Sequence, residues 1–359
     1  IDDVSPGARR PAPGQLHAEP GRPYDATMSL ASMTELPPLL ISPTQLAKFL
    51  TGKSLRILDA TWFLPVPGGV RRNAHAEFLR GPRLPGALFW DVDAVATRGE
   101  SVRNMPHMMP CSHVFAEAAR AHGISRDSHV VVYDRLGVFS SPRAAFTFRA
   151  FGHPAVSVLD GGLPAWIEAG LELDTQELSA DPTPEPATYD EPQLQSGWIR
   201  SFEEMLHNTT LGANGQVVLD ARPRPRFDGQ SPEPRPGLAA GHIPGSLSLP
   251  AGMLTESHPL SDKRLGQESY TTLKPQHELW KLAVAALGED RIEKLRHDSS
   301  GKDSIGVSLT CGSGMTACID WLALQQLGIH GAVYDESWLG WGSRAAEGQA
   351  PVEKGTEQA

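Results

Sequence analysis

Short apolar runs alternate with amphipathic stretches from residue 41 onward. Ser42-Pro43-Thr44-Gln45-Leu46 reads as a helix N-cap with proline at the first helical position. A strand is predicted over Arg56 to Ala60, a Pro/Gly/Arg-rich loop over Pro65 to Arg83, and a second strand near Ala87 to Val92. A helix over Ser112 to His122, a strand over His129 to Tyr133, a helix over Pro142 to Phe151 and a strand over Ala155 to Leu159 follow. Strands alternating with helices at this spacing imply an α/β domain whose mainly parallel sheet carries helices on both faces.

The stretch Leu171 to Gly197 is rich in Pro, Glu, Asp and Thr without apolar periodicity and reads as an extended linker. A second unit begins at Trp198, and it repeats the first. Leu58-Asp59-Ala60 matches Leu219-Asp220-Ala221, and Leu84-Pro85-Gly86-Ala87 matches Ile243-Pro244-Gly245-Ser246. Phe151-Gly152-His153 with Asp160-Gly161-Gly162 and Trp166 echoes Leu327-Gly328-Ile329 with Asp335-Glu336-Ser337 and Trp341. The expected organisation is a disordered leader (1–38), an N-terminal domain (39–170), the linker (171–197), a C-terminal domain (198–346) and a tail (347–359).

Composition narrows the function classes. With 359 residues and 40% hydrophobic content the chain is long enough for two cores. A net charge of −10 argues against nucleic acid or an anionic membrane as partner. No uninterrupted apolar run approaches the ~20 residues of a membrane span. Three scattered cysteines make no disulfide framework and suit a reducing compartment. The leader mixes Arg9, Arg10 and Arg22 with Asp2, Asp3, Glu19 and Asp25, so cytoplasm and mitochondrion both stay open, and Met28 and Met33 are alternative starting points.

The chemistry is expected at Cys311. Ile305 to Leu309 is apolar enough for an inner strand, and Ala317 to Leu327 places Ile319, Leu322, Ala323 and Gln326 at helical spacing. Cys311 thus sits at a strand-to-helix junction, where unpaired N–H groups and the positive dipole end favour a thiolate. Gly312 and Gly314 let the loop curl around an anion. The competing reading is a buried structural cysteine, which is the role expected of Cys318. In the first copy the matching strand ends Val132-Tyr133-Asp134 and its loop, Arg135 to Ser141, has no cysteine, so one copy alone can carry the nucleophile.

The loop Cys311-Gly312-Ser313-Gly314-Met315-Thr316-Ala317 resembles the active-site loop of the tandem rhodanese-type sulfurtransferases, in particular the branch that uses 3-mercaptopyruvate. The resemblance covers roughly residues 41 to 345. It implies two tandem rhodanese-like domains and a covalent persulfide on Cys311 formed from 3-mercaptopyruvate, with pyruvate released and no metal or organic cofactor required. Acceptors implied are small thiols, cyanide or a thioredoxin-like protein. Asp220-Ala221-Arg222, Arg226-Phe227 and Pro232-Glu233-Pro234-Arg235 form a second match, implying that Arg226 and Arg235 grip the donor beside Gly312, Gly314, Met315 and Thr316. Arg222 is expected to have a structural partner. A third match, Asp93 with Met105-Pro106-His107-Met108-Met109-Pro110, implies an Asp93–His107–Ser313 relay, which requires the domains to pack with this loop across their interface.

Several rivals remain. Thiosulfate use would favour basic residues after the cysteine, where Gly312 and Ser313 are neutral. A cysteine phosphatase needs an arginine six residues on, where Ala317 stands. A sulfur carrier would present Cys311 without turnover. A zinc site at His107, Cys111 and His113 fits no standard spacing.

Overall fold

The computed structural model describes residues 36–355 apart from 51, 53, 66–68, 70 and 299–305. The leader expected over 1–38 therefore lies outside the described residues, save for 36–38.

The N-terminal domain runs β1 (Leu40–Ile41), α1 (Pro43–Leu46), β2 (Leu55–Asp59), α2 (Ala74–Arg80), β3 (Leu88–Phe89), α3 (Ser112–Ala121), β4 (His129–Tyr133), α4 (Ser141–Ala150), β5 (Val156–Leu159) and α5 (Gly162–Glu168). The opening turn forms because Ser42 and Gln45 make a capping box. Ser42 Oγ accepts from Gln45 N at 3.3 Å while Gln45 Oε1 accepts from Ser42 N at 2.9 Å. The β-branched run of β4 is buried on both faces, as an inner parallel strand requires. The sheet order is β1-β5-β4-β2-β3, all parallel.

The C-terminal domain runs β6 (Ile199–Arg200), α6 (Phe202–Thr210), β7 (Val217–Asp220), α7 (Arg224–Phe227), β8 (Leu247–Ser248), α8 (Ala251–Leu254), β9 (Thr255–Pro259), β10 (Ser269–Leu273), α9 (Gln276–Leu287), α10 (Glu289–Asp298), β11 (Val307–Thr310), α11 (Ala317–Gln326), β12 (Gly331–Tyr334) and α12 (Ser337–Ala346). Its parallel sheet, β6-β12-β11-β7-β8, repeats the first strand for strand. Among the described residues no helix is long and apolar enough to cross a membrane.

The two copies share one continuous apolar core. Helices α4 and α11, each following the central strand of its sheet, face one another, with Phe146 edge-on to Trp321 at 5.3 Å. The helix expected over Ala317 to Leu327 is thus present as α11. Residues Ala317 to Leu324 are buried on every side, because the helix has its own sheet beneath it and the other domain above.

The pattern reading missed the antiparallel hairpin β9–β10, which leaves the second copy and clasps the first. Thr271 N donates to Leu136 O at 3.0 Å, Val138 N to Thr271 Oγ1 at 3.2 Å, and Leu273 N to Asp160 Oδ1 at 2.8 Å. Gly137 makes this approach possible: at φ +112°, a Cβ there would lie 2.1 Å from Thr271 O. Residues 171–197 lie along the first domain as an ordered strap. Tyr189 is buried with its hydroxyl 3.0 Å from His153 Nδ1, and Gln195 N donates to Ala150 O. At the other end of the chain, Glu353 pairs antiparallel with His242.

Candidate active site

Cys311 follows the last residue of β11, at the centre of its sheet, and is 1% exposed. The first turn of α12 holds the cysteine loop from behind. Trp338 N donates to Cys311 O at 2.9 Å, Leu339 N to Gly312 O at 3.0 Å, and Cys311 N to Ser337 Oγ at 3.2 Å. The Ser337 hydroxyl also stands 4.0 Å from the sulfur. Gly314 has φ +79°, and a Cβ on it would come 3.1 Å from Asp335 O and 3.2 Å from Arg143 Nη1, so the loop closes only on glycine.

The first copy displays what such a loop does. Tyr133 pairs with Asp59 as Thr310 pairs with Asp220, so the next residues, Asp134 and Cys311, occupy matching positions. The Asp134 carboxylate fills the loop. Oδ1 accepts from Leu136 N at 2.9 Å, and Oδ2 accepts from the N–H groups of Phe139, Ser140 and Ser141 at 2.9, 3.0 and 2.9 Å and from Ser141 Oγ at 2.7 Å. A loop of this shape is an anion nest. In the second copy the same position carries a thiol.

A cleft of about 760 Å³ opens above Cys311 and Ser313, walled by Trp62 and Phe139 of the first domain and Met253 of the second. Arg226 and Arg235 line it together with Gly312, Met315 and Thr316. Arg226 stands on α7, and a Cβ on Gly312 would meet its Nη2 at 3.5 Å. Buried Glu233 fixes that guanidinium, its Oε2 accepting from Arg226 Nη2 at 2.5 Å while its Oε1 accepts from Arg222 Nη1 at 2.9 Å. Arg222 in turn pairs with Asp220 at 2.6 Å and so has the structural partners expected of it. Arg235 has no carboxylate within ion-pair distance among the described residues. Burial, with Arg226 alongside, lowers its pKa, against the opposing pull of the nearby Cys311 and Asp93. Four arginines thus line the cleft; carboxylates hold Arg222, Arg224 and Arg226 and leave Arg235 unpaired among the described residues, an arrangement suited to a small carboxylate.

Asp93 and His107 come together. Asp93 Oδ1 is 2.7 Å from His107 Nδ1, close in distance but off the in-line direction of a ring N–H hydrogen bond. Trp62 braces both, donating from Nε1 to Asp93 Oδ2 at 3.0 Å and standing edge-on to the imidazole at 4.6 Å. Burial pushes the Asp93 carboxyl up, but His107 and the Trp62 bond outweigh it, and its pKa lies below the usual carboxylate value. His107 is buried in the left-handed region at φ +62°, and its Nε2 has no hydrogen-bond partner among the described residues. No hydrogen bond joins it to Ser313, the other end of the expected relay. His113 contacts Glu191 and Glu117, and among the described residues no group of three or more His, Cys, Asp or Glu side chains is arranged to hold a metal ion.

The match to known families agrees with this geometry. A model of the rhodanese-like domain fits the chain twice, over residues 42–169 and 202–344. The chain belongs to the rhodanese family. A probable 3-mercaptopyruvate sulfurtransferase of Schizosaccharomyces pombe is 36% identical over 293 residues, 81% of this chain and 87% of the relative. The human 3-mercaptopyruvate sulfurtransferase is 36% identical over 300 residues, covering 82% and 87%. Among solved structures, the Tum1 protein of Saccharomyces cerevisiae superposes with a TM-score of 0.70 at 30% identity, covering 89% of this chain and all of that one.

This tandem rhodanese carries two further buried groups beside Cys311. Burial pushes the Cys318 thiol up to about 12, and its Sγ sits 3.3 Å from Gly314 O, so it is packed as an inert thiol. Asp320 is wholly buried with neither oxygen hydrogen-bonded among the described residues, and burial, with Cys311 and Asp220 adding to it, raises its pKa far above the usual carboxylate range. Sequence reading passed over Trp62, Arg143, Asp335 and Asp320. Glu233 and Asp335 lay inside quoted motifs, whereas Trp62 stood in a loop without pattern.

Proposed function

We propose that this chain transfers the sulfur of 3-mercaptopyruvate to Cys311 and then to a thiol acceptor or cyanide, releasing pyruvate. The observation that carries the reading is the convergence of Cys311, on a neutral glycine-serine loop, with Arg226 and Arg235 in one cleft. In this reading the donor carboxylate and keto oxygen meet Arg235 and Arg226, which aims the donor sulfur at Cys311. The thiolate attacks that sulfur, an S–S bond forms and the C–S bond breaks. The electron pair passes to carbon, giving the enolate of pyruvate, which takes up a proton. Ser313 serves the proton transfer, with His107 and Asp93 behind it. Gly314, Met315 and Thr316 complete the loop around the persulfide.

An acceptor thiolate then attacks the outer sulfur and restores Cys311. The apolar walls admit a small thiol or the exposed thiol of a thioredoxin-like protein. Thiosulfate is the weaker donor in this account, since its two charges find no cation at Gly312 or Ser313. The test compares pyruvate release from 3-mercaptopyruvate with a dithiol acceptor against thiosulfate with cyanide, for the wild type and Cys311→Ser. Pyruvate release abolished by the substitution and poor turnover of thiosulfate are expected; undiminished release by Cys311→Ser overturns the reading.

A further inference from the structure

One guanidinium ties the two halves of the candidate site together. Arg143, on the first turn of α4, is 3% exposed, and its charge is fully taken up by the domain interface. Its Nη2 donates to the backbone carbonyl of His107 and to Asp335 Oδ1 at 2.8 Å, and its Nη1 reaches Gly314 O of the cysteine loop at 3.4 Å. Asp335, which follows β12, completes a ring. Its Oδ2 accepts from Met109 N at 2.7 Å, so residues 107 to 109 are held at both ends by a single ion pair.

The two loops so joined both need holding. His107 is a non-glycine residue at φ +62° and Gly314 stands at φ +79°. A left-handed histidine persists only when its surroundings over-determine it. Every contact of Arg143 with these loops is to backbone, which fixes chain position and leaves side-chain chemistry to the loop residues. We propose that Arg143 and Asp335 are positioning residues: they hold the His107 loop of the first domain in register with the cysteine loop of the second, so that the Asp93–His107 pair acts on the group at Ser313. The inference rests on the relay reading given under Proposed function.

The test measures steady-state pyruvate release from 3-mercaptopyruvate and its pH profile for Arg143→Gln, Arg143→Lys, Asp335→Asn and His107→Asn, and for each of the first three combined with His107→Asn. Alkylation of Cys311 by iodoacetamide reports whether the nucleophile half is intact. The expected result is a fall in kcat of about 10- to 100-fold for Arg143→Gln and Asp335→Asn, with KM and alkylation rate little changed and the pH profile of kcat displaced. Lysine, which keeps the charge but lacks the planar fork of the guanidinium, restores part of the loss. In the His107→Asn background these substitutions add nothing further. Full activity of Arg143→Gln and Asp335→Asn, or losses that multiply with that of His107→Asn, overturns the inference. A fully active His107→Asn contradicts the relay itself and is thereby told apart. Asp335→Asn is nearly isosteric and carries the same comparison if Arg143→Gln does not fold.

Discussion

Asp134 occupies in the first copy the position that Cys311 occupies in the second, each directly after the central strand of its sheet. The carboxylate of Asp134 is bound by four backbone N–H groups and a hydroxyl of its own loop, so the duplicated fold contains one nest filled by a carboxylate of its own and one that carries the Cys311 thiol. Replacing Asp134 with Asn leaves an amide N–H₂ facing a backbone donor on one side or the other. A loss of about 1–3 kcal/mol in urea denaturation is expected. Unchanged stability would mean that the nest does not depend on charge.

The arginines give a second prediction. Arg235→Ala removes the unpaired cation of the cleft and is expected to lower kcat/KM for 3-mercaptopyruvate at least about 100-fold, a charge-assisted pair being worth roughly 3 kcal/mol. Glu233→Gln leaves both cations but loosens Arg226 and should produce a smaller loss, seen mainly in KM. Equal effects from both substitutions would show that the Glu233 contact contributes as much as direct binding.

Asp320 and Arg143 stand in the same relation to their copies: each comes nine residues after the nest residue, since 143 − 134 and 320 − 311 are equal. Arg143 is fully engaged, whereas neither oxygen of Asp320 has a partner among the described residues. A buried unsatisfied polar group is destabilising, so Asp320→Val should raise the stability at pH 7 by about 1–3 kcal/mol. Its folded pKa is raised above the unfolded value, so the penalty grows as pH rises above that unfolded value, and the gain from valine should shrink towards pH 4. A loss of stability on this substitution would reveal a partner for the carboxyl.

Much of this was legible along the chain. His129 to Tyr133 is a strand at its predicted bounds because a run of β-branched residues buried on both faces has few alternatives. The cysteine loop was legible because small residues at a strand end have little packing use. The hairpin was not, since Thr255–Pro259 and Ser269–Leu273 are largely polar and their partner is the other domain, which periodicity within a segment cannot report. Arg143 was hidden for the same reason: an arginine within a helix is ordinarily a solvated charge, and its acceptors lie in two loops far along the sequence.

The interdomain clasp is open to a direct check. In Gly137→Ala the new Cβ collides with the Thr271 carbonyl, and the backbone at φ +112° is strained for any side chain. Denaturation followed by tryptophan fluorescence should move from one transition towards two as the domains separate. A single transition of wild-type midpoint would show the hairpin to be dispensable.

His153 sets part of the pH dependence of stability. Burial holds its folded pKa at about 4, whereas the unfolded chain binds the proton near the ordinary 6.5. The unfolded state therefore carries more protons between these values, so His153 costs stability as pH falls from 6.5 to 4 and is neutral in effect above 6.5. At pH 5 the cost is on the order of 2 kcal/mol. Asp160, held at about 6 by burial, works in the opposite sense over part of that range, so the comparison is best made between wild type and His153→Gln. The difference in urea midpoint between them should change with pH below 6.5 and be constant above it.

Sulfur from 3-mercaptopyruvate is expected to come to rest on Cys311. The protein, incubated with 3-mercaptopyruvate and no acceptor, should release one equivalent of pyruvate in a burst, and peptide mass spectrometry should find one added sulfur atom on the peptide carrying Cys311. Discharge by a dithiol should remove that sulfur. Pyruvate released without sulfur on Cys311, or sulfur found instead on Cys318, would contradict the account.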